Sequence, residues 1–256
     1  MAVLGAGASA FDNAGTALEA GAAEVVVFVR RPHLPQVNKS KWTSFPGFLH
    51  GFARLDDAQR WGFYTYIFDE QVPPPYESVL RCDRHANFSI RFDAPWNDLI
   101  PDGDGVRILT PAGEARFDAA IVATGFDVDL IDRPELAAVR DQVLLWSDRI
   151  TAQQAAAHPE AARFPYLGAG FELKERQPGS RPALRHLHLF NWGCTMSHGA
   201  LAGDIPGLAI GAQRLARALV DDLFTADADS HYRNMLSHNE EELAPTRYFV
   251  PLEQRR

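Results

Sequence analysis

The chain has 256 residues, 46% of them hydrophobic and 23% charged, with a formal net charge of −8. That length admits one large domain or two small ones, and that composition belongs to a folded globular protein rather than a disordered or fibrous one. The acidic balance argues against non-specific nucleic-acid binding, which needs a basic face.

The first element is predicted at Val3-Leu4, a short buried strand that runs straight into Gly5-Ala6-Gly7-Ala8-Ser9-Ala10. A G-x-G-x-x-A turn between strand and helix lets backbone N–H groups approach a pyrophosphate, which the positive end of the helix favours. The helix is expected over 8–20, with Gly21 as its stop and Asp12 in its first turn. Ser9 offers a hydroxyl beside the expected phosphate. A second strand, Val25 to Val29, ends in Arg30-Arg31-Pro32. An acidic residue at this distance would clamp the ribose of NAD; two guanidinium forks suit the 2′-phosphate of NADP(H) instead. The strand beginning directly after Met1, with no leader, suggests a chain cut or a gene start placed at a domain boundary.

Residues 42–76 hold ten aromatic side chains. This is too long for a plain strand-to-strand connection, so an insertion with its own helical packing is expected over about 38–80. Within it a helix over 55–70 starts near Asp56-Asp57 and stops at Pro73-Pro74-Pro75. The insertion reads either as a small subcore or as a lid over the nicotinamide or substrate. Strands are predicted at 88–92, 106–109 and 116–122, with a tight loop at 102–105 and a turn at 111–113. The last strand enters Ala123-Thr124-Gly125-Phe126, where small residues allow a ligand close to Thr124 and Gly125. Residues 187–190 look like one more buried strand. After the loop 199–203, Asp204-Ile205-Pro206 opens a long helix to about 224, and the tail from Asp227 reads as solvated surface.

Gly5-Ala6-Gly7-Ala8-Ser9-Ala10, Arg30-Arg31 and Ile121-Val122-Ala123-Thr124-Gly125-Phe126 resemble the NADPH half of flavin-containing monooxygenases and Baeyer–Villiger-type flavoproteins. The segment 197–204 and the following helix resemble the C-terminal piece of their FAD domain. The resemblance implies that Gly203-Asp204 lies near the flavin's ribityl–phosphate chain. It also implies an α/β fold: a Rossmann-like three-layer dinucleotide-binding domain over 1–130, and a partial FAD-domain segment over 131–256. The implied activity is FAD- and NAD(P)H-dependent oxidation of a small-molecule substrate, with NADPH reducing FAD. The implied cofactor-binding residues are Gly5, Gly7, Ser9, Ala10, Arg30, Arg31, Thr124, Gly125 and Asp204. No side chain is assigned a catalytic role, because the flavin carries the chemistry in that family.

Two features of the family are missing from these 256 residues. The N-terminal FAD fingerprint is absent, and Phe45-Pro46-Gly47 reaches His50 at the wrong spacing for F-x-G-x-x-x-H. The alternative reading is therefore a non-catalytic NADP-binding module, or a split piece that needs a homodimer or a separate FAD-binding partner. Other enzyme classes fit worse. No tyrosine sits in Y-x-x-x-K, as a short-chain dehydrogenase requires. Cys82 and Cys194 are isolated, so neither a disulfide framework nor a redox dithiol is expected, and a cytoplasmic setting is. His186, His188, His198 and Asp204 form no recognisable ligand quartet, and no metal is expected. No apolar run approaches the roughly 20 residues of a membrane span.

Overall fold

The computed structural model describes residues 1–251 and Gln254. The chain opens with β1 (Ala2–Leu4), α1 (Ala8–Glu19) and β2 (Val25–Phe28). The insertion follows as α2 (Pro46–Gly51), a 3-10 turn at Phe52–Arg54, α3 (Asp57–Glu70) and α4 (Tyr76–Asp83). Next come β3 (Phe88–Arg91), β4 (Asp98–Asp102), β5 (Gly105–Thr110), β6 (Gly113–Phe117) and β7 (Ala120–Val122). The remainder holds short helices α5 (Ala152–Ala157), α6 (Pro159–Ala162) and α7 (Thr195–His198), then α8 (Ile205–Ala226) and α9 (Ala228–Ser237).

A parallel sheet in the order β3-β2-β1-β7 forms the middle layer. Its central strands β1 and β2 are apolar throughout because both their faces are covered, whereas the edge strand β3 carries Ser89 and Arg91. Val3, Val25 and Val27 point to α1 and α4, meeting Ala10, Phe11, Ala14, Leu18 and Cys82. Ala2, Val26 and Phe28 point the other way, onto Ala94, Ile108 and Phe117. That second cover is the antiparallel sheet β4-β5-β6, so the three layers are helices, parallel sheet and antiparallel sheet. The Rossmann-like three-layer α/β class holds, with a meander as its third layer.

Local chemistry sets the helix ends. Gly21, at φ +91°, stops α1 where a left-handed residue is needed. Asp56 caps α3 by accepting from the Gln59 N–H, and Gln59 returns the bond, completing a capping box. Several sequence expectations are corrected. Asp12 lies past the first turn of α1, which has no acid, and accepts a hydrogen bond from Ser78 on α4 instead. Helix α4 and strand β4 were not foreseen, and the strand expected over 116–122 is two, β6 and β7, in different sheets. Residues 187–190 form no sheet strand: a single bridge pairs His188 with Glu172.

The aromatic insertion does not form a core of its own. Phe48, Phe52, Trp61, Tyr64 and Ile67 share one core with Trp146, Phe164 and Met196 from the C-terminal half. Among the described residues, no helix is long and apolar enough to cross a membrane.

Candidate functional site

The carboxyl edge of the parallel sheet collects most of the expected binding residues. Gly5 N–H donates to Phe28 O (3.1 Å) and Ala123 N–H donates to Leu4 O (2.8 Å), tying the ends of β2, β1 and β7 together. The Gly5–Ser9 turn is thus central, with Arg30 and Arg31 beyond β2 on one side and Thr124 and Gly125 beyond β7 on the other.

The two fingerprint glycines do different jobs. Gly5 sits at φ +132°, and a Cβ there would lie 2.2 Å from Ala123 O. Gly7 is the extended N-cap of α1, with φ −92°, and a Cβ there would meet nothing within 4 Å. No side chain caps this helix; the Ala10 N–H turns back to Gly7 O at 3.1 Å, which leaves the Ala8 and Ser9 N–H groups at the helix start for a ligand. Ala10 is fully buried under the sheet, whereas Ser9 is exposed at the helix start. Arg30 is exposed and Arg31 half-buried; among the described residues neither forms an ion pair. Thr124 and Gly125 are exposed, and Gly125 has φ +93°.

Asp204 is not beside that turn in sequence or sheet order. It is the N-cap residue of α8, yet its side chain makes no capping bond. It lines a cavity of about 460 Å³ together with Phe126, Asn191, Trp192 and Leu208. Phe126 links the two regions: it follows Gly125, is 79% exposed, and packs on Trp192 at 5.9 Å. Arg163 holds the loop beyond it, donating to Asp127 and Asp129 at 3.0 Å each. The sequence marks neither Asn191 nor Trp192, and it marks Phe126 only as the end of the turn at 123–126. Only the position of Phe126, directly after the Thr124-Gly125 turn, was a usable signal.

A buried polar network braces the shared core. Tyr166 donates to Asp57 (2.8 Å), and Arg60 donates to Asp57 (2.6 Å) and to the Tyr166 oxygen (2.7 Å). Burial raises the Asp57 carboxyl, but hydrogen bonds from Tyr166, Arg149 and Arg60 outweigh it and leave the group below its ordinary value. His198, only 2% exposed, stacks on Phe171 at 4.1 Å. Arg214 can only donate, so the 3.2 Å contact makes His198 Nδ1 an acceptor; Nε2–H then donates to Gly168 O at 2.8 Å. Burial, aided by the Arg214 and Arg60 charges, pushes His198 down to about 4 despite the Gly168 bond.

The sign of its pH effect follows. Between pH 6.5 and about 4 the unfolded chain binds a proton that the folded one refuses, so stability falls as pH drops through this window. The loss should approach about 3 kcal/mol. Urea unfolding at pH 7 and pH 5 should show it, and His198→Gln should flatten the difference. An unchanged pH dependence in that variant would disprove the assignment.

No family model matches the chain. It is 39% identical over 242 residues to an FAD-dependent urate hydroxylase from Xanthomonas campestris pv. campestris, covering 94% of this chain. The chain spans about half the length of that relative, 51%. Among solved structures, an ornithine hydroxylase from Pseudomonas aeruginosa matches with a TM-score of 0.61 at 15% identity, over 87% of this chain and 52% of the other. An ornithine N-hydroxylase from Kutzneria sp. 744 matches with a TM-score of 0.61 at 15% identity, over 86% and 53%. At that identity the structures establish the fold alone, and the sequence relationship rests on the hydroxylase. Over about half the length of each, the chain is thus similar in sequence to an FAD-dependent urate hydroxylase and similar in fold to the two ornithine hydroxylases.

Proposed function

We propose that residues 1–130 bind NADPH and that residues 131–256 form the end of an FAD-binding domain, together serving a flavin-dependent monooxygenase in which NADPH reduces FAD. The observation that carries this is the open, uncapped start of α1 at Gly7, on the same sheet edge as two arginines that form no ion pair among the described residues. The first-turn N–H groups take the pyrophosphate, Ser9 stands beside it, and Arg30 and Arg31 take the 2′-phosphate. The Thr124-Gly125 turn lets the backbone close on the cofactor from the β7 side.

Asp204 suits a flavin chain for a similar reason: it stands at an uncapped helix start, over a cavity walled by Trp192 and Phe126. A bound flavin would accept reducing equivalents from NADPH and react with oxygen. The remaining flavin contacts belong to a βαβ unit with its own fingerprint, which these 256 residues do not contain. The substrate is a small molecule, and the urate hydroxylase relationship makes urate the first to test. Both cysteines are free and buried, which fits a cytoplasmic protein.

NADPH should bind more tightly than NADH by about tenfold to hundredfold, the worth of a charge-assisted pair at about 1.5–3 kcal/mol. Arg30→Ala with Arg31→Ala should erase the difference in a fluorescence titration. Equal affinities in the unaltered chain would refute the NADPH assignment.

An FAD-binding unit is the partner that the exposed apolar face of the last long helix fits. Helix α8 carries Ile205, Leu208, Leu219 and Leu223 along one face, and Ile205 is 89% exposed. Leaving such side chains in water forgoes about 1.5–3 kcal/mol each. Adding an FAD-binding fragment of a homologous flavoprotein should yield a yellow complex that oxidises NADPH. Asp204→Ala should weaken flavin retention there and leave NADPH affinity unchanged. A colourless mixture that still binds NADPH would favour the non-catalytic module.

A further inference from the structure

A second cavity, of about 720 Å³, opens between α2, the turn at Phe52–Arg54 and α8. Its wall carries Arg54, Arg60, Lys174, Arg214 and Arg217, and among the described residues no aspartate or glutamate lines it. Five permanent cations around one cleft are unexpected in a chain whose net charge is −8. Arg60 is compensated by Asp57 at 2.6 Å. Among the described residues, Arg54, Lys174, Arg214 and Arg217 form no ion pair.

Two of these groups are held rather than loose. Arg214 is half-buried and fixed by contacts to His198 Nδ1 (3.2 Å), His50 O (3.3 Å) and Leu49 O (3.4 Å), all neutral acceptors. Its burial lowers the stability of its charge, so the protein keeps a desolvated cation at the rim without a counter-ion. Arg60 is nine-tenths buried, and its Nε is enclosed with no hydrogen-bond partner. Clefts lined by one sign of charge focus their field, and guanidinium forks match the paired oxygens of carboxylate and phosphate.

The cleft is separate from the proposed cofactor regions. Ile210, Arg214 and Arg217 line it from one face of α8. At about 100° per residue, Ile205 and Leu208 fall on the opposite face, toward the cavity that holds Asp204. Ser197 and His198 of α7 line the basic cleft, while Trp192 and Gly193 just before them line the other cavity.

We propose that this basic cleft is a binding site for a small oxyanion, a carboxylate or phosphate group on a metabolite-sized molecule, gripped by Arg54, Arg214 and Arg217. Its volume lies in the range of small-molecule sites. The site does not depend on the flavin assignment, because none of its residues belongs to the sheet edge or to the Asp204 cavity.

The test is calorimetric titration of the full chain with inorganic phosphate and, separately, with citrate. NADP⁺ is kept saturating so that Arg30 and Arg31 are occupied. At least one anion should bind, with affinity that falls as salt rises. Phosphate alone identifies a phosphoryl ligand, and citrate alone a carboxylate. Arg54→Gln with Arg217→Gln removes two exposed cations and should weaken binding at least tenfold while NADP⁺ affinity stays the same. Lys174→Gln, on a different segment, should weaken it on its own. The proposal is overturned if neither anion binds, if the Arg54/Arg217 variant binds them as well as the unaltered chain, or if removing Arg30 and Arg31 abolishes the signal.

Discussion

Gly5→Val should leave little folded protein, whereas Gly7→Val should fold and fail to bind NADPH. The two residues are two positions apart in one motif, but their surroundings are opposite. At Gly5, φ of +132° is strained for any side chain, costing about 1–3 kcal/mol. The added Cβ would also press to 2.2 Å from Ala123 O, in backbone that cannot move without unzipping β1 from β7. That overpacking costs about 1–3 kcal/mol more. Together these consume a large share of a typical domain stability of about 5–15 kcal/mol. At Gly7, φ is −92° and the space in front is open, so the fold tolerates a side chain. The same space is where a pyrophosphate would reach the helix start, and filling it should weaken NADPH by about a hundredfold or more. Thermal unfolding and NADPH titration on both variants check the pair. A Gly7→Val protein that binds normally would remove this helix from the cofactor site.

Trp146→Ala should cost about 3–5 kcal/mol and loosen two distant stretches of chain together. The indole is fully buried, 6.1 Å from Trp61 and 5.1 Å from Tyr166, with the Arg60 guanidinium 5.0 Å from its ring. Its Nε1–H donates to Ser197 Oγ at 3.2 Å. Ser197 keeps its bonds to Leu167 N–H and Pro165 O, so most of the loss is packing. Trp146→Phe, which keeps most of the apolar volume, should cost visibly less. Because insertion and C-terminal residues share this core, amide exchange should accelerate in α3 and around 161–167 alike. Acceleration confined to one of them would show two independent cores.

What the sequence determined by itself is what short-range chemistry controls. The β1–turn–α1–β2 unit was legible because its apolar runs, its glycines and the Gly21 stop all act within a few residues of one another. Helix α3 was legible through Asp56-Asp57 at its start and the prolines after it, and the structure adds that Asp56 and Gln59 bond to each other across one turn. The stripe on α8 follows from helical spacing alone. Where a signal depended on a neighbour, reading failed. Residues 187–190 are apolar enough for a strand but meet only one bridging partner. Strand β4 contains Pro101 and two aspartates, yet pairs with β5, whose Ile108 packs on Val26 and Phe28. Only the tertiary structure decided that the aromatic insertion joins the core of the C-terminal half. It alone gathered Arg54, Lys174, Arg214 and Arg217 around one cleft. Those side chains are separated by up to 163 positions, and no local spacing records a meeting that chain folding creates.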